Sequence, residues 1–182
     1  MIEVRWHGRG GQGAVTSVEL LAVSAIAAGK FAQGFPSFGP ERRGAPVAAF
    51  TRVADKKINV RSGIYEPDVV LVLDSSLIGL INVTEGLKPD GKLIVNTPKS
   101  PEDIRKALDY KGTLALVDGT GIARKEMGVP IANTTMIGAL LKVTGIMKLD
   151  AMKEAIENRF GRIAQKNLNA MQRAYDEITI YN

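Results

Sequence analysis

The residues best equipped for chemistry sit near the start of the chain, in His7-Gly8-Arg9-Gly10-Gly11-Gln12-Gly13. Gly8, Gly10 and Gly13 fit the G-x-G-x-x-G pattern, with a strand-like run before and a helix-like run after. Glycines let backbone N–H groups approach an anion closely. A helix N-terminus adds unpaired donors and a partial positive charge, and Arg9 offers a guanidinium. A dinucleotide site further requires an acidic residue about 20 positions on, to hold ribose hydroxyls. That count leads to Gln33, and no Asp or Glu lies between Glu19 and Glu41. No Gly-Lys-Ser/Thr follows the turn, so it is not a P-loop. Three readings stay open: a phosphate-like anion, a docking neighbour, or packing of strand against helix.

His7 is the only histidine. It titrates near neutrality and can serve as a general base. No Ser, Cys or carboxylate partner is suggested nearby, so a partly buried, hydrogen-bonded imidazole at a strand end is the plainer reading. Asp74, Asn96 and Asp118 each end an apolar run, at the edge where parallel sheets bind ligands. The same residue types cap the following helix, which is the plainer role. Residues 36–46 (PSFGPERRGAP) carry three prolines and two glycines and read as a structured loop. The loop displays Glu41, Arg42 and Arg43 beside Phe35 and Phe38. Arginine with aromatics is an interface composition, and arginine also grips carboxylate or phosphate with two parallel bonds.

The elements that must position these groups follow from patterning. Ile2–Trp6 alternates as a strand, and Ala14–Ala28 reads as a mostly buried helix with Gly29 just beyond its end. Residues 31–35 suit a short strand, and 47–53 with 58–60 suit a hairpin turning at Asp55-Lys56-Lys57. The runs 69–73, 93–95 and 114–117 are wholly apolar, the mark of parallel strands covered on both faces. Helices are expected at 76–83, 101–108, 120–127, 134–144, 149–159 and 163–178, the fourth capped by Asn133 or Thr134. The expected fold is α/β. It is a single Rossmann-like domain over 1–182, mostly parallel, with flanking helices, a β-hairpin insertion and a helical C-terminal section.

Composition narrows the function. The chain has 182 residues, 45% hydrophobic and 24% charged, which suits a globular domain with a real core. The net charge of +5 is scattered, with Arg42-Arg43 and Lys56-Lys57 the densest pairs, so no nucleic-acid stripe is formed. There is no cysteine, which excludes disulfides, thiolate zinc sites and cysteine-ligated clusters within the chain. The longest apolar stretch, near 18–28, is too short to span a bilayer, and no secretory signal is visible. A cytoplasmic protein without membrane contact is expected.

Read in order, HGRGGQGAVTS, FPSFGPERRGAPVAAFTRV, PDVVLVLD and ANTTMIGALLKVTG resemble one family. They are similar to the γ subunits of 2-oxoacid:ferredoxin oxidoreductases of the pyruvate and ketoisovalerate type. Gly44-Ala45-Pro46 fits that type better than the 2-oxoglutarate type. The resemblance implies one subunit of a complex that converts pyruvate, coenzyme A and oxidised ferredoxin to acetyl-CoA, carbon dioxide and reduced ferredoxin. It implies α, β and δ partner subunits that hold thiamine diphosphate, Mg2+ and [4Fe-4S] clusters, and ferredoxin as electron acceptor. This chain would hold no redox centre, no catalytic residue and no metal, and would be inactive alone. Gly8, Arg9, Gly10, Gly11, Gln12 and Gly13, with Glu41, Arg42 and Arg43, would meet a coenzyme A phosphate or a neighbouring subunit. The rival readings are a free-standing nucleotide-binding or NAD-dependent domain, a purely structural interaction protein, and a γ subunit specific for another 2-oxoacid.

Overall fold

The alternating strand β1 (Ile2–Arg9) turns Val4 and Trp6 to one face and Arg5 and His7 to the other. In this computed structural model, which describes residues 1–37 and 43–182, β1 lies inside a seven-stranded sheet. The order is β2 (Phe31–Pro36), β3 (Pro46–Ala54), β1, β4 (Val69–Val72), β5 (Lys92–Asn96), β6 (Thr113–Val117) and β7 (Thr179–Tyr181). Strands β1, β4, β5 and β6 are mutually parallel. The flanking pairs β1–β3, β2–β3 and β6–β7 are antiparallel. The sheet is therefore parallel at its centre and antiparallel at both margins.

Burial on both faces explains the continuous apolar runs of β4, β5 and β6. Leu71, Ile94 and Ala115 join Val4 and Trp6 under α1 (Ala14–Ala27), α3 (Gly119–Met127), α4 (Asn133–Thr144), α5 (Lys153–Phe160) and α6 (Ala164–Glu177). Val70, Val72, Leu93, Val95, Leu114 and Leu116 face the opposite layer, made of α2 (Pro101–Leu108) and the segment 75–91. Helix α4 is buried nearly all round. Its Gly138 permits direct approach of α6, because a Cβ there would overlap the Met171 carbonyl.

Four local expectations change. The expected hairpin of 47–53 with 58–60 does not form: β3 pairs instead with β2, from Phe31↔Ala54 to Pro36↔Ala49, and residues 58–60 form no strand. The segment after β3 is instead held across the sheet by Arg52, whose Nη2 donates to the Ser62 and Gly63 carbonyls at 2.8 and 3.1 Å. Residues 76–83 contain only the end of a 3₁₀ turn, Ser75–Leu77, and Gly79 at φ +91° interrupts any continuation. Asn96 does not cap α2; Ser100 does, its Oγ accepting from Asp103 N at 3.2 Å. Helix α4 begins one residue early, with Ala132 at the cap position and Asn133 already helical. Strand β7 lay beyond the anticipated elements; it forms because the chain leaving α6 meets the open edge of β6.

Candidate functional site

The two loops singled out by composition are bonded to each other. Gly10 N donates to Ala45 O at 2.9 Å, and Gly44 N donates to Gly10 O at 3.0 Å. Glu41 and Arg42, with Phe38, Gly39 and Pro40, lie outside the described residues. Arg43 is exposed and lies over Gly11, its Cγ 3.9 Å from where a Cβ would stand. Gly11 and Gly13 adopt φ of +93° and +82°, a conformation that glycine enters without Cβ strain.

Within the turn, most polar groups already have partners. Gln12 folds back, its Oε1 accepting from Arg9 N and its Nε2 donating to Asp74 Oδ2, both at 2.7 Å. The Arg9 guanidinium donates to the Gly44 carbonyl at 3.0 Å and to Ser76 Oγ at 3.1 and 2.9 Å. Its Nε also lies 3.3 Å from Asp74 Oδ2. Burial works against the Asp74 carboxylate, but hydrogen bonds from Ser76 and Gln12 and the charge of Arg9 outweigh it and hold its pKa below the usual range.

A cavity of about 440 Å³ opens beside this turn, lined by Gly11, Gln12, Asp74, Asn96, Arg124 and Asn133 among others. It sits over the carboxyl ends of the parallel strands. Chain leaving β1 goes to the β2–β3 side, and chain leaving β4 goes to β5 on the other. That reversal is where open α/β sheets bind ligands. Helices α1 and α4 start at the cavity, with Gly13 and Ala132 as caps that offer no side-chain bond. Helix α3 differs, since Asp118 Oδ1 accepts from Gly121 N at 2.8 Å. Asn133 is buried, its Oδ1 taken by Thr134 N at 2.8 Å. Its Nδ2 lies against Gly13 and donates no hydrogen bond among the described residues. Asn96 ties β5 to α3, donating to Leu73 O and Thr120 Oγ1 and accepting from Thr120 N. Uncapped helix starts, an amide and the exposed guanidinium of Arg124 can together receive an anionic group such as a phosphate.

The remaining candidates separate from this cavity. His7 is buried on β1, and its Nε2 accepts from Arg5 Nε at 3.0 Å. Burial, and then the charge of Arg5, push the imidazole pKa down to about 4, so it is neutral at pH 7. Phe35 turns to the sheet face, its ring 5.4 Å from Phe50 and under the Arg52 guanidinium. Gln33, where an acidic residue was sought, accepts from Arg52 Nη1 and donates to Val60 O. Strand β3 also separates β2 from β1, so the β1–α1–β2 unit of a dinucleotide fold is not built.

Sequence reasoning missed Arg124 and the amide of Asn133 as cavity groups. Arg124 follows Asp118-Gly-Thr-Gly by less than two helical turns, so the strand-end rule that marked Asp118 extends to it. Among the described residues, no group of three or more His, Asp or Glu side chains is placed to hold a metal ion. No described helix is long and apolar enough to cross a membrane.

Comparison with known proteins agrees with the loop pattern. The pyruvate ferredoxin/flavodoxin oxidoreductase family model matches residues 3–177. The common γ subunit of pyruvate/ketoisovalerate oxidoreductases from Thermococcus kodakarensis is 53% identical over 183 residues, covering 100% of this chain and 99% of that protein. Pyruvate synthase subunit PorC from Methanocaldococcus jannaschii is 52% identical, covering 98% and 97%. The crystal structure of pyruvate oxidoreductase subunit PORC from Thermotoga maritima superposes with a TM-score of 0.89 at 41% identity, covering 100% of this chain and 98% of that one. With its glycine turn bonded to the stem of the second loop beside a strand-end cavity, the chain belongs to the pyruvate ferredoxin/flavodoxin oxidoreductase family.

Proposed function

We propose that this chain is the γ subunit of a multisubunit 2-oxoacid:ferredoxin oxidoreductase, with residues 1–182 as one domain, and that it forms part of the coenzyme A side of the site. The favoured reaction takes pyruvate, coenzyme A and oxidised ferredoxin to acetyl-CoA, carbon dioxide and reduced ferredoxin. Thiamine diphosphate, Mg2+ and [4Fe-4S] clusters belong to the α, β and δ partners, ferredoxin takes the electrons, and the complex works in the cytoplasm. The γ chain by itself carries out no turnover, since its task is binding and packing.

One observation carries this reading: two helix starts without side-chain caps open on the same cavity as the bonded loops and Arg124. Coenzyme A brings phosphates and a long polar arm, chemistry that such donors receive. Asp74 and Asp118 line the same cavity, so an anion is accommodated toward Arg124, Asn133 and Arg43 rather than at the carboxylates. The test uses assembled complex with Arg43→Ala or Arg124→Ala in γ. Either change should raise the KM for coenzyme A by roughly three- to tenfold, on the scale of one charge-assisted bond, with kcat near wild type. Unchanged KM for both variants, with unchanged subunit stoichiometry, overturns the assignment. An NAD-dependent enzyme domain is disfavoured by Gln33 and by the interposed β3; calorimetric titration with NAD should show no binding.

A further inference from the structure

We infer that Arg9 is a positioning residue, which fixes Arg43 over the glycine turn that lines the cavity and makes no contact with ligand itself. This rests on the coenzyme A reading above. Arg9 ends β1, and its guanidinium reaches two separate segments at once. One is the rim after β4, where it meets Ser76 Oγ through Nε and Nη2 and lies 3.3 Å from Asp74. The other is the stem of the second loop, where Nη1 donates to the Gly44 carbonyl at 3.0 Å. Around that stem, Gly10 N bonds Ala45 O and Gly44 N bonds Gly10 O. Gly44 itself is at φ +81°, and among the described residues nothing lies within 4 Å of a Cβ position there, so the hydrogen bonds of the stem are what hold it.

The orientation of Arg43, one residue earlier, therefore depends on this short ladder and on the arginine fork that closes it. A guanidinium satisfies three acceptors on two segments in one plane, which an ammonium cannot do. Gln12 braces the arrangement from below, holding both Arg9 N and the Asp74 carboxylate. Nε, Nη1 and Nη2 of Arg9 each donate to the protein, whereas Arg43 is exposed and lies over Gly11 of the cavity wall.

The test is a double-mutant cycle in the assembled complex, varying coenzyme A at saturating 2-oxoacid and ferredoxin. Arg9→Ala should raise the KM for coenzyme A by roughly three- to tenfold and leave kcat within about twofold. Arg9→Ala combined with Arg43→Ala should be no worse than Arg43→Ala alone, because one acts through the other. Arg9→Lys should fall between, and Ser76→Ala should move KM in the same direction by less. Ser76→Ala keeps the guanidinium and the fold, so it decides the matter if Arg9→Ala fails to assemble. Multiplicative effects of Arg9→Ala and Arg43→Ala, or no KM change for Arg9→Ala and Ser76→Ala while Arg43→Ala raises it, overturn the inference. If Arg43→Ala leaves the KM unchanged, Arg43 does not meet coenzyme A, and the coenzyme A reading itself fails if Arg124→Ala leaves it unchanged too. The same cycle is then read in the dissociation constant of γ from its partner subunits. Coupling there upholds the positioning role, and independence there overturns it.

Discussion

Gly13 and Asn133 touch beside the cavity: a methyl group on Gly13 would overlap the Asn133 amide nitrogen. The contact joins the start of α1 to the start of α4, elements 120 positions apart in sequence (133 − 13). Gly13 also stands at φ +82°, which any other residue enters at a cost. Gly13→Ala should therefore lose about 3 kcal/mol, from left-handed strain plus overpacking, and lower the melting temperature by roughly 6–12 °C. Adding Asn133→Ala should recover part of the loss, and a calorimetric cycle on the four proteins checks this. If Asn133→Ala recovers nothing, strain at Gly13 alone accounts for the effect.

His7 gives the fold a pH dependence of known sign. Its imidazole protonates near 6.5 in the unfolded chain but only near about 4 in the fold, because burial and then the Arg5 charge disfavour the cation. Between those values the unfolded state binds more protons, so stability rises with pH. The contribution is complete above pH 6.5 and is lost as pH falls toward 4, on the order of 3 kcal/mol across the window. Urea midpoints measured between pH 4 and 7 should show this slope, and His7→Gln should flatten it. An unchanged slope in the variant would falsify the assignment to His7.

Arg52 should behave as a latch. Its guanidinium is buried, paired with Glu3 at 2.7 Å, and bonded to Gln33, Ser62 and Gly63. Arg52→Met strands a carboxylate and two carbonyls, so about 3–5 kcal/mol should be lost. The segment 55–67 should also become cleavable by trypsin at Lys56, Lys57 and Arg61, read by mass spectrometry. Equal resistance of variant and wild type would show that other contacts hold the segment.

Local chemistry made much of this molecule legible from sequence. The helix expected at 101–108 is α2 to the residue, and the apolar runs ending in Asp74, Asn96 and Asp118 located the parallel strands and the cavity rim. What escaped was decided at long range. Residues 58–60 alternate as a strand should, yet β3 takes β2 as its partner and Arg52 draws the following segment across the sheet. A helix is expected at 76–83, but Leu77 and Val83 reach the core from an irregular path in the same layer as α2. At the site, the glycine turn read alone as a dinucleotide cradle. The fold instead commits Gln12 and Arg9 to internal bonds, and moves the free donors to Asn133 and Arg124. No spacing rule connects Gly13 to Asn133, because only the packed sheet brings them together.

The place of β1 between β3 and β4 has a consequence for how the chain assembles. Each half of the sheet, β2–β3 on one side and β4 to β7 on the other, is attached to the rest through this one strand. During synthesis β1 emerges ahead of both neighbours and waits with two open edges, first for β3 and then for β4. The sheet closes only when β7 reaches β6, more than 60 residues later in the chain. Nascent γ chains shorter than that carry an unpaired β6 edge and exposed apolar strand faces. Those are the lengths at which chaperone binding to the growing chain should be greatest.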